Sequence, residues 1–289
     1  MDLIRSENGR RNGKAGLASP QISSLATGGL ALLALFWSTD VHAEELAAHR
    51  AVYELQLSEV KTSADVGALS GRMVLEWDGN SCDGYTLSQR LVTEIVDTDG
   101  RAEVTDVRMT SWESADGDQF RFEVQQFAGL SLVNTISGFA DRSESPLVAS
   151  FTEPGDLTLQ LPQDIIFPSE FMKNLVEAAQ AGETLFSAPV FEGAETDKYF
   201  LVSSFIGKPS VAEIKEVATD GEGLALESAS SWPVQVSYFL PNAKEGLPEY
   251  QVSYRLYDNG VSSNLVLDYG DIVINGTLTE LTYLVSDPC

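Results

Sequence analysis

The stretch Tyr250–Gly260, YQVSYRLYDNG, decides the fold. Tyr250, Val252, Tyr254 and Leu256 alternate with Gln251, Ser253 and Arg255, the period of two that gives a strand one apolar and one polar face. The run ends in Asp258-Asn259-Gly260, and Asn-Gly tolerates the positive φ angles of a type I′ hairpin turn. Gln119–Gln125, QFRFEVQ, repeats the alternation with Phe120, Phe122 and Val124 on one side. Further runs lie at Ala51–Leu57, Arg72–Trp77, Tyr85–Val96, Ala102–Trp112, Tyr199–Ile206, Leu224–Ala229, Val234–Leu240, Leu265–Tyr269 and Ile272–Tyr283. Asp99-Gly100, Asp116-Gly117 and Gly270-Asp271 supply three more turns. Strands at about 10–12-residue spacing joined by hairpins indicate an all-β, mainly antiparallel meander, either a barrel or a sandwich.

One segment breaks the pattern. Glu170–Ala181, EFMKNLVEAAQA, has apolar residues at helical spacing, and Gly182 follows. Ser169 is the expected N-cap and Gly182 the expected C′ stop of a short amphipathic helix. The helix either packs on the sheet or joins two halves of it. Ser58–Leu69 and Ala140–Ser145 read as linkers, and no repeat or low-complexity tract divides the chain.

The first 43 residues read as a signal peptide. A basic stretch ends at Lys14, Leu25–Trp37 is an apolar run, and Val41-His42-Ala43 places small residues where cleavage occurs. The apolar run spans roughly 20 Å as a helix, too short for a bilayer core of about 30 Å. Arg10-Arg11 hints at twin-arginine export, but Asn12-Gly13 point instead to the general secretory route. Residues 44–289 are then expected to form one domain in the periplasm, with no membrane insertion after cleavage. That portion holds 14 Lys and Arg against 40 Asp and Glu. Such a field repels nucleic acid and anionic lipid surfaces. Two cysteines, Cys82 and Cys289, both lie beyond the leader. In an oxidising compartment an isolated pair is most simply one disulfide, with two free thiols as the alternative. A bridge across about 200 residues would contribute at most about 5 kcal/mol in the chain-entropy picture.

Catalytic signals are sparse. His49 is the one histidine beyond the leader, and it reads as a surface or strand-end residue. Gly67–Gly71, GALSG, lacks the spacing of a nucleophile elbow, and no phosphate-binding loop or dinucleotide fingerprint occurs. Asp97–Asp106, DTDGRAEVTD, has the acids of a calcium loop but its glycine at position 4 rather than 6, so a hairpin turn is expected. Neither a catalytic residue nor a cofactor nor a metal site is assigned. Trp77, Trp112 and Trp232, with Phe120, Phe122, Tyr238, Phe239, Tyr250 and Tyr254, are expected to line the face around which the sheet curves.

Several motifs in order carry a resemblance. They are His49-Arg50-Ala51-Val52-Tyr53, Ser70-Gly71-Arg72-Met73, Cys82-Asp83-Gly84-Tyr85, Thr110-Ser111-Trp112-Glu113 and Phe120-Arg121-Phe122. Leu161-Pro162, Phe167-Pro168-Ser169-Glu170, Trp232-Pro233-Val234, Tyr257-Asp258-Asn259-Gly260-Val261, Leu265–Asp271 and the terminal Cys289 continue the series. With these the sequence resembles the EipB family of periplasmic cell-envelope-integrity proteins. The resemblance implies a monomeric β-spiral, an open barrel-like sheet of many strands with a helix beside it. It also implies a disulfide, which falls here on Cys82 and Cys289. Support of envelope integrity and stress resistance is implied, without a known enzymatic activity or ligand.

Three functions from different classes follow as expectations. The first is a non-enzymatic periplasmic scaffold or binding protein for an unknown envelope protein, peptide or lipid. The second is a carrier holding a lipid, lipoprotein or peptide in the spiral. The third is an acid-dependent cell-wall hydrolase, which needs two carboxylates facing one cleft.

Overall fold

The structure, a computed structural model, describes residues 46–61, 64–211, 220–221, 226, 229–243 and 246–285. They belong to the compact unit His42–Cys289. The leader expected over residues 1–43 and Cys289 lie outside the described residues.

The chain first builds eight strands in sequence: β1 His49–Val60, β2 Ala68–Asn80, β3 Gly84–Val96, β4 Ala102–Glu113, β5 Gln119–Ala128, β6 Ser131–Asp141, β7 Val148–Glu153 and β8 Leu157–Gln160. After helix α1, Pro168–Gln180, come β9 Leu185–Val190, β10 Phe200–Ile206, β11 Ser210–Val211, β12 Asp220–Gly221, β13 Ser230–Phe239, β14 Tyr250–Tyr257, β15 Ser262–Asp268 and β16 Ile272–Tyr283. Fourteen of these strands follow one path, β8 to β1 and then β16, β15, β14, β13, β10, β9, with β11 and β12 attached to its side. The first and last long strands are therefore neighbours at the centre of the sheet. His49 pairs with Tyr283 at one end of this seam and Val60 with Ile272 at the other. All pairs along the path are antiparallel, and the sheet is open, its edges being β8 and β9.

Inward-facing residues follow the alternation of the strands, except that a bulge at Thr279, opposite Val52 and Tyr53 of β1, shifts β16 by one residue. Tyr53, Leu55, Leu278 and Leu281 form one core beside the seam. A second core surrounds β5, where Phe120 stacks on Phe167 at 4.7 Å and Phe122 meets Phe191 edge-on at 5.4 Å. Phe167 precedes the helix and Phe191 follows β9, so this cluster draws the two open edges of the sheet together. Ile166 bridges Val190 in parallel, donating its N–H to Pro189 and accepting one from Phe191. Gly193 completes the crossing: its φ is +72°, and a Cβ there would lie 2.3 Å from the Phe122 ring. Only glycine meets both demands.

Helix α1 belongs to the third core. Phe171, Leu175, Val176, Ala178 and Ala179 pack against Trp77, Tyr85 and Leu87 from one wall. Val202, Ile206, Trp232, Val234 and Val236 receive it from the other. β1, β16, β15 and β14 separate those walls along the sheet, so the helix is wedged inside the roll rather than beside it. It also connects the two edge strands, which satisfies both readings of its role. Burying Phe171, Leu175 and Val176 contributes on the order of 6 kcal/mol. Gly182 ends the helix as expected, with Glu183 N–H on the Ala178 carbonyl and Gly182 N–H on that of Ala179.

Several expectations need correction. Pro168 opens the helix, because a proline suits its first position, so Phe167 and not Ser169 is the N-cap residue. Trp112 and Phe239 lie on the outer face, because the inward positions of their strands are taken by Glu113 and Tyr238. Of Leu224–Ala229 only Leu226 and Ala229 are described, and Leu226 lies in a short 3-10 turn. The Asn259-Gly260 turn has positive φ at Gly260 alone. Gly260 N–H bonds to Tyr257 O and Tyr257 N–H to Val261 O, a type I turn followed by a left-handed glycine. β6 to β9 escaped the alternation test: β8 is short, and β6 has exposed Leu132 and Val133 where polar residues were expected.

Candidate functional site

Two inward carboxylates stand out. The first, Glu113, ends β4 and is 2% exposed. Its two oxygens accept the backbone N–H groups of Ser169, at 2.5 Å, and Glu170, at 3.1 Å. A strand side chain thus caps the helix, whose own N-cap residue offers no side-chain acceptor. Burial pushes the Glu113 carboxyl up to about 6, opposed by the two N–H groups and reinforced by Glu170. Glu170 in turn pairs with Arg142 at 2.5 Å, and Arg142 also donates to the Ile165 carbonyl and lies over the Phe167 ring. Every part of this network fastens the helix start to β4–β6.

The second, Glu192, lies in the connection from β9 to β10. It meets a ladder of tyrosines formed by register: Tyr238 on β13 pairs with Tyr250 on β14, and Tyr269 follows β15 on the same row. The Tyr238 and Tyr250 rings stack at 4.2 Å, Tyr269 lies 5.9 Å from Tyr250, and Phe200 meets both inner rings edge-on. Tyr250 donates its hydroxyl to Glu192 at 3.3 Å. Burial pushes Glu192 up to about 7, Tyr250 lowers it and Glu195 raises it. Burial and the nearby Glu192 hold the Tyr238, Tyr250 and Tyr269 hydroxyls protonated. Lys198 is bound to Glu195 at 2.9 Å, with Asp197 and Glu249 also in its field. Among the described residues no cation pairs with Glu192. The region presents an acidic, aromatic rim.

Other sequence-derived residues fall elsewhere. His49 begins β1 as expected but is buried; its Nδ1 lies 2.7 Å from the Ala47 carbonyl, and burial lowers its pKa. Cys82 sits in the turn between β2 and β3, where its N–H and that of Asp83 both reach the Asn80 side-chain oxygen at 2.8 Å. Asp97 closes a hairpin turn with Gly100 and Arg101, not an ion loop. Trp112 carries Arg121 over its outer face. Among the described residues no group of three or more His, Cys, Asp or Glu is arranged for a metal, and no helix is long and apolar enough to cross a membrane. Continuing the inward row Val107, Met109, Ser111 leads directly to Glu113, a signal the sequence held. Glu192 lies in a loop, where no period marks it.

An open antiparallel sheet rolled around its own helix defines a barrel-like spiral protein. The EipB-like family model matches residues 40–285, and the chain belongs to that family. It is 32% identical over 241 residues to the cell envelope integrity protein EipB of Brucella abortus, a match spanning 83% of this chain and 85% of that one. Its fold is similar to the crystal structure of a beta-barrel-like protein of domain of unknown function DUF1849 from Brucella abortus. That similarity has a TM-score of 0.77 and 30% identity, covering 83% of this chain and 99% of the other.

Proposed function

We propose that this chain is a non-enzymatic periplasmic protein that supports cell-envelope integrity, acting as a scaffold or binding protein through the tyrosine rim around Glu192. The relative's name, cell envelope integrity protein, supports the role. The carrying observation is Glu192 itself. A partly buried carboxylate without a cationic partner costs stability, and nothing in the packing requires it. Such a group is retained for what it contacts, here an envelope protein, peptide or lipid. The test is complementation of a deletion strain, which should be sensitive to detergents and β-lactams. Wild type should restore tolerance and Glu192→Gln should not; normal tolerance in the deletion strain would remove the reading.

The carrier reading is less favoured because α1 already touches opposite walls of the interior. The hydrolase reading is disfavoured by the separation of roles: both Glu113 oxygens serve the helix, and the charged neighbours of Glu113 and Glu192 are Glu170 and Glu195, not each other. Peptidoglycan incubated with the protein should release no products.

Periplasmic residence rests on the leader, so the purified native protein should begin near Glu44. We further propose the Cys82–Cys289 bridge. Trp77, His49 and Tyr283 share one row across β2, β1 and β16. Two strand spacings are about 10 Å, and six extended residues reach roughly 20 Å. The segment after Tyr283 therefore starts at the end of the sheet that bears Cys82. Cys82→Ser should lower the melting temperature and speed periplasmic proteolysis. The protein should sediment as a monomer.

A further inference from the structure

The tyrosine row beside Glu192 runs from the interior of the roll to its surface. Tyr238 follows buried Val234 and Val236 on the inward face of β13, and Tyr250 shares the inward face of β14 with buried Leu256. Tyr269 continues the row beyond buried Leu265 and is 46% exposed. Tyr238, Tyr250 and Glu192 itself are half-buried, so the row is reached from solvent. Tyr250 lies between the other two rings, stacked on Tyr238 at 4.2 Å and tilted to Tyr269 at 5.9 Å. Ring faces are thus turned on one another, and the row offers edges and hydroxyls. A quaternary ammonium needs open ring faces and does not fit. A cation that hydrogen-bonds does.

Charge sets the sign of the ligand. Glu195, Asp197 and Glu249 surround Lys198, and Glu195 holds that lysine at 2.9 Å, away from Glu192. The rim is therefore acidic despite its one ammonium. The Glu192 carboxylate accepts the Tyr250 hydroxyl on Oε2 at 3.3 Å and keeps further acceptor positions. The Tyr238 and Tyr269 hydroxyls lie in the field of the same carboxylate and, being neutral, can accept as well as donate. Convergent oxygens suit a compact ammonium with three donors. They suit a guanidinium less, because its planar fork needs both carboxylate oxygens free. An ethanolamine lipid head would bring its phosphate into the field of Glu195, Asp197 and Glu249, which repels it. Lysine carries its ammonium on four methylenes that can lie along the ring edges.

We propose that the rim receives a lysine side chain from a basic segment of a partner protein, its ammonium on Glu192 and the tyrosine hydroxyls. This rests on the reading of Glu192 as the working group of the protein. The test is an NMR titration of the full mature protein at pH 8 with an acetylated, amidated pentapeptide of glycines around a central lysine. Norleucine, arginine and trimethyllysine versions serve as comparisons. The lysine peptide should shift the tyrosine resonances and bind about tenfold more tightly than the norleucine peptide. The arginine and trimethyllysine peptides should fall between them. Glu192→Gln should lose about tenfold in affinity for the lysine peptide. Lys198→Gln should gain about twofold, because it removes a competing positive charge from the rim. Equal binding of the norleucine peptide, unchanged affinity in Glu192→Gln or weaker binding in Lys198→Gln would overturn the proposal. So would binding of phosphatidylethanolamine vesicles by a protein that ignores the lysine peptide. If Glu192→Gln fails to restore detergent tolerance while the lysine peptide shows no preference, the ammonium falls and the rim stands. If Glu192→Gln restores tolerance, the rim falls with it.

Discussion

Glu113 and Glu192 face the same medium and answer it differently. Burial pushes both carboxyls upward, to about 6 and about 7. Glu113 receives two backbone N–H groups and the positive end of a helix, so its charge does structural work when present. Glu192 receives one tyrosine hydroxyl at 3.3 Å, and Lys198, in the same connection, is held by Glu195. Burial and a raised pKa therefore do not distinguish a site from a brace. What distinguishes them is whether the surrounding fold needs the group. Removing Glu113 orphans a helix terminus; removing the charge of Glu192 orphans nothing in the protein.

The largest effect should come from Glu113→Ala, which leaves two buried N–H groups without an acceptor. Loss of the cap plus that desolvation should cost about 3 kcal/mol in urea unfolding. Glu113→Gln keeps an oxygen for one N–H and should cost about 1 kcal/mol. A loss as large as that of alanine would mean that the charge, not the acceptor, holds the helix.

Glu192→Gln should act in the opposite direction. The carboxyl titrates at about 4.5 when unfolded and at about 7 when folded, so the folded state holds its proton more tightly. Its favourable term is fully present below pH 4.5 and is lost as pH rises through 7. At pH 8 the glutamine variant should be more stable by about 3 kcal/mol, and below pH 4.5 the difference should vanish. Glu113 follows the same sign over the narrower window from 4.5 to 6, a loss of about 2 kcal/mol, so wild-type stability should fall in two overlapping steps. A flat profile from pH 4.5 to 7 would contradict both assignments. The smallest change should be in Tyr250→Phe, which removes the hydroxyl donor to Glu192. It should move the Glu192 midpoint upward and cost less than about 1 kcal/mol at pH 8.

The same contrast explains what the sequence disclosed. β14 and β16 occupy the boundaries read from alternation, because each has an apolar face against the core and a polar face outward. β9 was hidden: its inward Phe186 and Ala188 are small in number, and Leu185 on the other face is exposed. The position of the helix was hidden for a deeper reason. Amphipathicity states that one face is buried, but only the path from β8 to β9 shows that two walls bury it. Glu113 was legible as the next inward residue after Ser111, yet its helical partner lies more than fifty residues further along the chain. Glu192 gains meaning only when three strands bring Tyr238, Tyr250 and Tyr269 into one row.

The decisive measurement is detergent tolerance of a deletion strain carrying Glu192→Gln, with the periplasmic level and melting temperature of the variant determined in parallel. The account predicts a protein at normal abundance, more heat-resistant than wild type at pH 8, that leaves the strain sensitive. Full tolerance from that variant would show that Glu192 is another brace and that the working surface lies elsewhere.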